Sequence, residues 1–435
     1  MWKQIILSAF ILPAFLIGCT FTPKEVSSPF IQVKNGQFIR NGQPYYYIGA
    51  NFWYGAILAS EGTGGNRERL HRELDSLKAI GVDNLRILVG SDGKRGVPTK
   101  VEPTLQEAPG IYNDTILAGL DYLLAEMEKR DMLAVLYLNN SWEWSGGYSQ
   151  YLAWARGDKA PVPAVDGWPA FMNYVKEFVV SDSAQALFAN HVKYILSRTN
   201  RYTQRKYTDD PTIMSWQIGN EPRAFASDSI HKAAFAEWMS KTSSLIRSLD
   251  PNHLISTGSE GKHGCEEDIA LFEKVHADTN IDYMNIHIWP YNWGWAPKDS
   301  LQENLEKACT NTQAYIDEHL NIAKKYQKPL VLEEFGYPRD SFQFGKNIST
   351  HARDGYYKCI FDLIVKHATH QSLLAGCNFW GWGGLAVPSS EHVFWQPGDD
   401  YTGDPAQEEQ GLNSVFASDT STVNLIRTAN GKLPH

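Results

Sequence analysis

The sequence predicts an α/β protein in which eight parallel strands alternate with helices and close into a single (β/α)8 TIM barrel. Eight short runs rich in apolar or β-branched residues recur along the chain, and stretches with helical periodicity separate most of them. Alternating strands and helices favour a parallel sheet, and eight such units favour closure of that sheet into a barrel. The sequence contains no internal repeat and no boundary that indicates a second domain.

The strands follow from the apolar runs, and we predict them at Tyr46–Phe52, Asn84–Val89, Leu133–Asn139, Ile213–Ile218, His253–Thr257, Tyr283–Ile288, Leu330–Glu334 and Gly376–Trp380. The periodic stretches predict helices at Arg67–Ile80, Ile116–Lys129, Phe235–Ser248 and Leu301–Tyr326. Gly81 and Asp131 stand where the first two helices should end. We expect loops over residues 140–175, 259–282 and 385–412, which should build a cleft at the C-terminal ends of the strands.

The composition restricts the class of function. Of 435 residues, 43% are hydrophobic and 20% are charged, so the chain can bury a large core and global disorder is excluded. Forty basic against 49 acidic residues give a net charge of −9, which argues against a nucleic-acid partner. The 14 tryptophans fit either a large aromatic core or rings that stack on sugars.

The N-terminus reads as an export signal. Lys3 precedes an apolar run from Ile5 to Ile17, which has the length of a signal peptide and is too short to span a bilayer comfortably. The run ends in Gly18 and Cys19, which resembles a bacterial lipobox whose cysteine is lipidated after cleavage. The alternative is an ordinary secretory signal in which Cys19 is incidental.

We therefore divide the chain into a signal peptide (1–18), a lipid-anchored tether (19–29) and a catalytic domain (30–435). Thr20, rather than Asp, follows the cysteine, which fits an outer-membrane destination that faces the periplasm or the cell surface. Without lipidation the protein should be secreted, and the lipid should be its only contact with a membrane. We also expect a monomer.

Four further cysteines, Cys265, Cys309, Cys359 and Cys377, lie in the exported part of the chain. They allow three full pairings, and the sequence does not choose among them. Cys377, inside an apolar strand, is also compatible with a buried free thiol. Their spacing matches no zinc motif.

Two glutamates at strand ends are the candidate catalytic groups. Glu221 follows the fourth predicted strand, and Glu334 ends the seventh. Two carboxyl groups held about 5 Å apart suit double displacement at a sugar carbon. Glu333 is the rival of Glu334, and because side chains alternate along a strand, we expect only one of the two to face the barrel mouth. The alternative is that these acids only form ion pairs.

At these residues the chain resembles glycoside hydrolase family 5, and within it the endo-β-1,4-mannanases, from about residue 30 to at least residue 385. Asn220-Glu221-Pro222 is similar to the acid/base motif of the family, and Glu334-Phe335-Gly336 to its nucleophile motif. The setting is mannanase-like in Tyr207–Trp216, Asn139-Asn140, Trp142, Gly146-Gly147-Tyr148 and Arg223.

The resemblance implies a retaining, endo-acting hydrolase with Glu221 as acid/base and Glu334 as nucleophile. Its substrates would be the internal β-1,4 bonds of mannan, galactomannan or glucomannan and of manno-oligosaccharides, with no cofactor and no metal. The residues that we expect to bind substrate are Arg86, Trp142, Asn220, Arg223, His287, Trp289, Tyr291 and Trp380.

Several of these residues carry specific expectations. Arg86 is a charge inside an apolar strand and should meet a carboxylate, with Glu334 the first candidate and a purely structural ion pair the alternative. Asn220 should donate a hydrogen bond to the sugar 2-hydroxyl and to the nucleophile. Trp289 stands where the family has a tyrosine bonded to the nucleophile, so Tyr291 or a water is expected to replace that bond.

Tryptophans provide the remaining candidate sugar contacts. Trp380 should form the platform under the sugar at the cleavage point. Five other tryptophans in predicted loops are either subsites or loop packing: Trp144, Trp293, Trp295, Trp382 and Trp395.

Three other functions remain open at this stage. A β-1,4-glucanase on the same fold would use the same catalytic residues. A non-catalytic surface glycan-binding lipoprotein would keep the barrel, although both glutamates are present. A metal-dependent hydrolase is disfavoured because no His-x-His or His-Glu-x-x-His motif occurs at a strand end.

Overall fold

The computed structural model describes Met1 and residues 28–434. Within this part of the chain, eight parallel strands form one sheet: β1 Tyr47–Asn51, β2 Asn84–Leu88, β3 Leu133–Tyr137, β4 Ile213–Gln217, β5 Leu254–Ser256, β6 Met284–Ile288, β7 Leu330–Phe335 and β8 Leu374–Phe379. Each strand pairs with its sequence neighbours except at β5 and β6, which do not pair with each other, and β8 pairs with β1. The edges at β5 and β6 approach through the hydrogen bond from Asp282 N to Ile255 O, 2.9 Å, so the barrel is nearly closed.

Helices surround the barrel, and the longer ones are α1 Arg67–Ala79, α2 Asp114–Glu128, α3 Gly147–Arg156, α4 Trp168–Val175, α5 Asp182–Leu196, α6 Ser229–Leu249, α7 Ile269–His276, α8 Leu305–Tyr326, α9 His351–Thr369 and α10 Thr420–Asn430. Every residue of the eight strands is buried, because the sheet is covered by side chains inside and by helices outside. None of the helices in the described residues is long and apolar enough to cross a membrane.

The predicted fold class is confirmed, and each strand lies within two residues of its predicted bounds. Gly81 and Asp131 end α1 and α2 in the left-handed region, with φ of 82° and 52°. Helix α6 begins six residues earlier than predicted because the Asp228 carboxylate caps its first turn, accepting from the backbone N–H groups of Ile230 and His231.

Two of the three predicted loops were wrong. Residues 140–175 contain α3, the short helix Pro163–Asp166 and α4, and residues 259–282 contain α7. Gly146 and Gly147 both adopt positive φ, and α3 begins at Gly147 with Gly146 as its N-cap. The third loop, residues 385–412, is irregular as predicted.

A small antiparallel sheet of Gln32–Lys34, Gln37–Arg40 and Gln43–Pro44 covers the N-terminal end of the barrel. Phe38 is fully buried there, with its ring centroid 5.1 Å from that of Tyr283, just before β6. Arg40 forms a 2.7 Å ion pair with Asp83, which directly precedes β2. The described chain therefore starts at the end of the barrel opposite the C-terminal ends of its strands.

The loop between β8 and α10 crosses the other end of the barrel and is fastened at its base. The buried carboxylate of Asp404 accepts hydrogen bonds from the backbone N–H groups of Gly411, 2.8 Å, and Asn413, 2.9 Å. Arg339, also buried, donates to both carboxylate oxygens of Asp419 at 2.9 and 2.6 Å. These bonds hold residues 405–413 over the mouth.

One disulfide, Cys309–Cys359, joins α8 to α9 in the described residues. Cys265 and Cys377 are buried free thiols, so the structure matches none of the three full pairings. Cys377 agrees with the free-thiol alternative, and burial in apolar surroundings raises its pKa.

Candidate active site

Glu221 lies directly after β4 at the C-terminal end of the barrel. Its backbone N–H donates to Gly258 O, 2.9 Å, and its φ of 50° turns the chain away from the strand direction. The side chain is held on both oxygens: Oε1 accepts from Nδ1 of His287 at 2.9 Å, and Oε2 accepts from Nε1 of Trp142 at 2.5 Å. Two elements besides its own strand therefore position this carboxyl group.

Glu334 reaches the same space from β7, and Arg86 from β2 forms a short ion pair with it. The guanidinium of Arg86 is fully buried. It also donates to Gln217 Oε1 and Asn220 Oδ1, each at 2.8 Å, and to Asn51 Oδ1 at 3.1 Å. The predicted contact between Arg86 and Glu334 is confirmed, and the surrounding acceptors leave the guanidinium little freedom to move.

The two glutamates face each other across a short gap. One oxygen of Glu221, one oxygen of Glu334 and a ring nitrogen of His287 lie within 4.8 Å of one another. His287 Nδ1 is also 3.3 Å from Glu334 Oε2, so the imidazole lies beside both carboxyl groups. Retaining glycosidases hold their carboxyl groups about 5–5.5 Å apart and inverting ones at least about 6.5 Å apart, so this spacing fits retention.

Burial and mutual repulsion decide the charge of this pair. Burial, opposed by Arg86 and reinforced by the charge of Glu221, raises the pKa of Glu334 to about 8. Burial also opposes ionisation of Glu221, but the hydrogen bond from His287, the charge of Arg223 and the hydrogen bond from Trp142 outweigh it and lower its pKa. The pair therefore holds one proton at neutral pH, on Glu334 in the unliganded protein, and the reaction requires its transfer to Glu221.

His287 acts on this pair as a hydrogen-bond donor. Burial lowers the pKa of His287 to about 4, so its imidazole is neutral at pH 7. Its Nδ1 then carries the proton that it donates to Glu221.

Only Glu334 of the two neighbouring glutamates faces the barrel mouth, as expected, but Glu333 also points into the barrel, beneath the pocket, which simple alternation does not predict. The ladder with β6 pairs Ile286 with Leu332 and His287 with Glu334, so Glu333 is the extra residue of a β-bulge. A bulge interrupts the alternation of side chains. Both carboxylates consequently approach Arg86, Glu334 in direct contact with Nη1 and Glu333 with Oε2 3.7 Å from Nε.

Two predicted hydrogen bonds to Glu334 are replaced by others. Asn220 turns its Oδ1 toward Arg86, so its amide nitrogen donates to Asn140 Oδ1 at 3.2 Å and not to Glu334. Tyr291 packs its ring on Phe342, with centroids 4.7 Å apart, and forms no hydrogen bond to Glu334 among the described residues. Besides Arg86, the imidazole of His287 lies beside Glu334.

A pocket of about 400 Å³ opens above the glutamate pair. Six of the eight predicted sugar-binding residues line this volume, namely Trp142, Asn220, Arg223, Trp289, Tyr291 and Trp380, and the other two, His287 and Arg86, contact the glutamate pair. Arg86 lies beneath the pair. The indole Nε1 of Trp380 and Nε of Arg223 are buried donors without a partner in the described structure, and sugar hydroxyls can accept from such groups.

The other tryptophans divide between the pocket and the packing of loops. Trp144 and Trp293 line the pocket, and Trp295 packs edge-on against Trp293 with centroids 5.0 Å apart. Trp382 is buried and donates to Glu73 at 2.8 Å, and Trp395 stacks on Tyr401.

Sequence reasoning missed an acidic set that lines the pocket, namely Glu143, Glu260, Glu408 and Glu409, together with Trp168, Asn292 and Gln407. Glu260 pairs with Arg223, whereas Oε2 of Glu143 is buried without a partner in the described structure. Burial raises the pKa of Glu143 to about 7. All four acids lie in the predicted loops 140–175, 259–282 and 385–412, but the sequence does not reveal which loop residues turn toward the pocket.

Glu221, His287 and Glu334 also satisfy the distance requirement for a metal site. No local sequence motif contains this grouping, because Glu221 follows β4 whereas His287 and Glu334 lie on β6 and β7. The chemistry of the donor set does not favour a resident cation, since Arg86 places a positive charge against Glu334.

A (β/α)8 barrel with two facing glutamates at the mouth, one buttressed by a buried arginine, defines the class of retaining glycoside hydrolases. A family model described as GH family 5 β-mannosidase-like matches residues 28–435. The chain therefore belongs to glycoside hydrolase family 5, as the motifs around Glu221 and Glu334 suggested.

Relatives and solved structures agree with this assignment. A putative mannan endo-1,4-β-mannosidase 4 from Arabidopsis thaliana is 29% identical over 89% of this chain and 91% of its own length. A mannan endo-1,4-β-mannosidase 1 from Solanum lycopersicum is 30% identical over 82% and 84%. The crystal structure of a family 5 mannosidase from Rhizomucor miehei superposes with a TM-score of 0.85 at 33% identity, covering 94% of this chain and 98% of that one.

Proposed function

We propose that the protein is an endo-acting β-mannanase that hydrolyses internal β-1,4-mannosidic bonds of mannan, galactomannan or glucomannan with net retention. The carrying observation is the Glu221–Glu334 pair, whose oxygens approach within 4.8 Å at the floor of a pocket rich in tryptophan. The names of the curated relatives, which are mannan endo-1,4-β-mannosidases, support mannan as the polymer.

In the proposed mechanism, Glu334 attacks the anomeric carbon while Glu221 gives its proton to the departing glycosidic oxygen. The reactive arrangement places the proton of the pair on Glu221 and the charge on Glu334, where Arg86 stabilises it. Water then attacks the glycosyl–Glu334 ester, and Glu221 accepts a proton from that water as the ester bond breaks. No cofactor enters either step.

The substrate would be held by aromatic faces and by unpaired donors. Trp380 and Trp289 pack edge to face at the pocket wall, with ring centroids 6.1 Å apart, and offer surfaces to pyranose rings. Arg223, whose guanidinium carbon is 5.1 Å from the ring centroid of Trp142, lies on the acid/base side and suits sugars beyond the scissile bond.

Three experiments test this proposal. NMR of the first product should give the retained anomer, and an inverted anomer would refute the assigned roles. E221Q and E334Q should each remove most turnover while the melting temperature stays near that of the parent protein. Parallel assays on galactomannan, glucomannan and carboxymethyl cellulose should rank mannans first, whereas a preference for carboxymethyl cellulose would favour the glucanase alternative.

A second candidate is an exo-acting mannosidase on short mannosides. The structure superposes on the Rhizomucor miehei family 5 mannosidase with a TM-score of 0.85. Its TM-score against the endo-β-1,4-mannanase from Thermotoga petrophila is 0.65, and at 22% identity that likeness supports the fold alone. The loop 405–413 also contributes Gln407, Glu408 and Glu409 to the pocket wall. Release of mannose alone from the first minutes would favour this candidate, whereas mixed oligosaccharides with a rapid fall in viscosity support endo action.

We further propose that the protein is an exported, lipid-anchored monomer with Cys19 as the lipidated residue. Cys19 lies outside the described residues, and the support is its lipobox-like sequence context. Expression in a bacterial host should place the protein in the membrane fraction, and C19S should move it to the soluble fraction. Membrane association that persists in C19S would place the anchor elsewhere. Light scattering of the soluble variant should give the mass of one chain.

A further inference from the structure

Glu333 is a fully buried carboxylate that the proposed reaction does not use directly. As the extra residue of the bulge in β7, it points into the barrel below Glu334. Its Oε2 accepts a 2.5 Å hydrogen bond from Nε2 of Gln217, and its Oε1 accepts a 3.4 Å bond from the Tyr283 hydroxyl. A buried charge is costly, so a carboxylate in this position beside the catalytic pair suggests a specific role.

The hydrogen bonds connect Glu333 to the nucleophile through two side chains. Gln217 Oε1 accepts from Nε of Arg86 at 2.8 Å, and Nη1 of the same guanidinium contacts Glu334. An ionised carboxylate only accepts hydrogen bonds, whereas a glutamine amide can present either its oxygen or its nitrogen. Burial raises the pKa of Glu333, whereas Arg86, Gln217 and Tyr283 favour its ionised form. In that form Glu333, together with the Ser256 hydroxyl, orients the nitrogen of Gln217 toward itself and leaves the oxygen for Arg86.

We propose that Glu333 is a positioning residue, which fixes the amide of Gln217 and thereby holds Arg86 in the orientation that supports Glu334 as nucleophile. The inference deepens the proposed retaining mechanism and rests on Glu334 being its nucleophile. Without Glu333, the amide of Gln217 is free to turn its N–H groups toward Arg86. The guanidinium would then lose the acceptor of its Nε, and with it part of the restraint that holds Nη1 against Glu334.

Glu333 should also affect the titration of the catalytic pair. The charged and titratable groups around the two neighbouring carboxylates are Tyr47, Arg86, Tyr137, Glu221, Tyr283, His287 and Glu408. The negative charge of Glu333 adds to the forces that raise the pKa of Glu334. Removing that charge lowers the pKa at which the pair loses its last proton.

The test uses E333Q in the full chain, with an aryl β-mannoside as the probe substrate. We expect kcat to fall about 10- to 100-fold, because small misplacement of a reacting group has effects of this size. KM should change by less than about threefold, since Glu333 does not line the pocket. The alkaline limb of the kcat/KM profile should move to lower pH.

A matched control separates positioning from loss of packing. Y283F removes the weaker hydrogen bond to Glu333 but keeps the charge of Glu333 and the hydrogen bond between Glu333 and Gln217. It also removes the contact between the Tyr283 and Ser215 hydroxyls, so E333Q and Y283F both lose buried polar contacts. It should lower the melting temperature with kcat nearly unchanged and the pH profile unmoved. The exchange variant Q217E/E333Q restores an acceptor for Arg86 and should recover most of the kcat lost in E333Q.

The inference is overturned if E333Q keeps kcat within about twofold of the parent, or if it loses no more kcat than Y283F at equal loss of stability. If E333Q does not fold, Q217M interrupts the same connection from the other side and must reproduce the loss of kcat without a matching rise in KM. The effects of the variants are compared on the aryl mannoside only. The rate of the parent protein on mannan therefore tests the proposed function separately from the role of Glu333.

Discussion

The indole of Trp142 donates the hydrogen bond that holds Oε2 of Glu221, which makes W142F a direct test of the acid/base assignment. Phenylalanine keeps an aromatic face toward the pocket but has no donor. A hydrogen bond to an ionised carboxylate stabilises the charged form, so its loss must raise the pKa of Glu221.

The size of the effect follows from the strength of that bond. A hydrogen bond to a charged group contributes about 1.5–3 kcal/mol, and one pKa unit corresponds to about 1.4 kcal/mol. His287 still donates to Oε1 in the variant, so we expect a shift at the lower end, about 1 unit upward. Because the acid must carry its proton, the alkaline limb of kcat/KM should move to higher pH by about the same amount.

The measurement is the pH profile of kcat/KM on mannotriose for the parent, W142F and the control W168F. Trp168 packs edge-on against Trp142, with ring centroids 6.0 Å apart, and lines the same pocket, but it donates no hydrogen bond to Glu221. W168F should therefore leave the alkaline limb in place. An unmoved limb in W142F, or a shift to lower pH, would refute the reasoning.

Three further predictions concern substrate binding, metal independence and stability. R223A removes the partner of buried Glu260 and should raise KM for mannotriose about tenfold, which corresponds to about 1.4 kcal/mol. The rise in KM for polymer should be smaller, because polymer binds additional subsites. An equal rise for both substrates would contradict a role of Arg223 beyond the scissile bond. Prolonged treatment with EDTA should leave kcat unchanged, because Arg86 already supplies positive charge at Glu334. A loss of activity that a divalent cation restores would contradict this expectation of metal independence. C309S/C359S opens a cross-link between positions 50 residues apart and should lower the free energy of unfolding by up to about 4 kcal/mol, measured by urea titration with kcat unchanged.

The barrel and its two catalytic candidates were predictable because both depend on local patterns. Each strand is an apolar run whose two faces are covered, so β-propensity and hydrophobicity agree along the run. Glu221 and Glu334 stand out because an acid directly after such a run must lie at the mouth of the barrel. Arg86 was predictable for a related reason, since a charge inside a strand requires a partner.

The site details that the sequence could not supply depend on pairing between distant segments. The inward direction of Glu333 arises from a bulge, and a bulge exists only relative to the neighbouring strand that carries His287. The contribution of residues 405–413 to the pocket likewise depends on bonds from Asp404 that no periodicity reveals. The helix from Gly147 was hidden because its first residues are typical of turns.

The small sheet around Phe38 gives the molecule a polarity along the axis of the barrel. Phe30, only two residues from the start of the continuously described chain, already packs on His253 beneath β5, with ring centroids 5.0 Å apart. Residues 28–44 thus leave from one pole, while Glu221, Glu334 and the pocket occupy the other. An attachment made at residue 28, whether a fusion tag or a solid support, would lie at the pole opposite the pocket, so long polysaccharide chains could approach the pocket without meeting the surface of attachment.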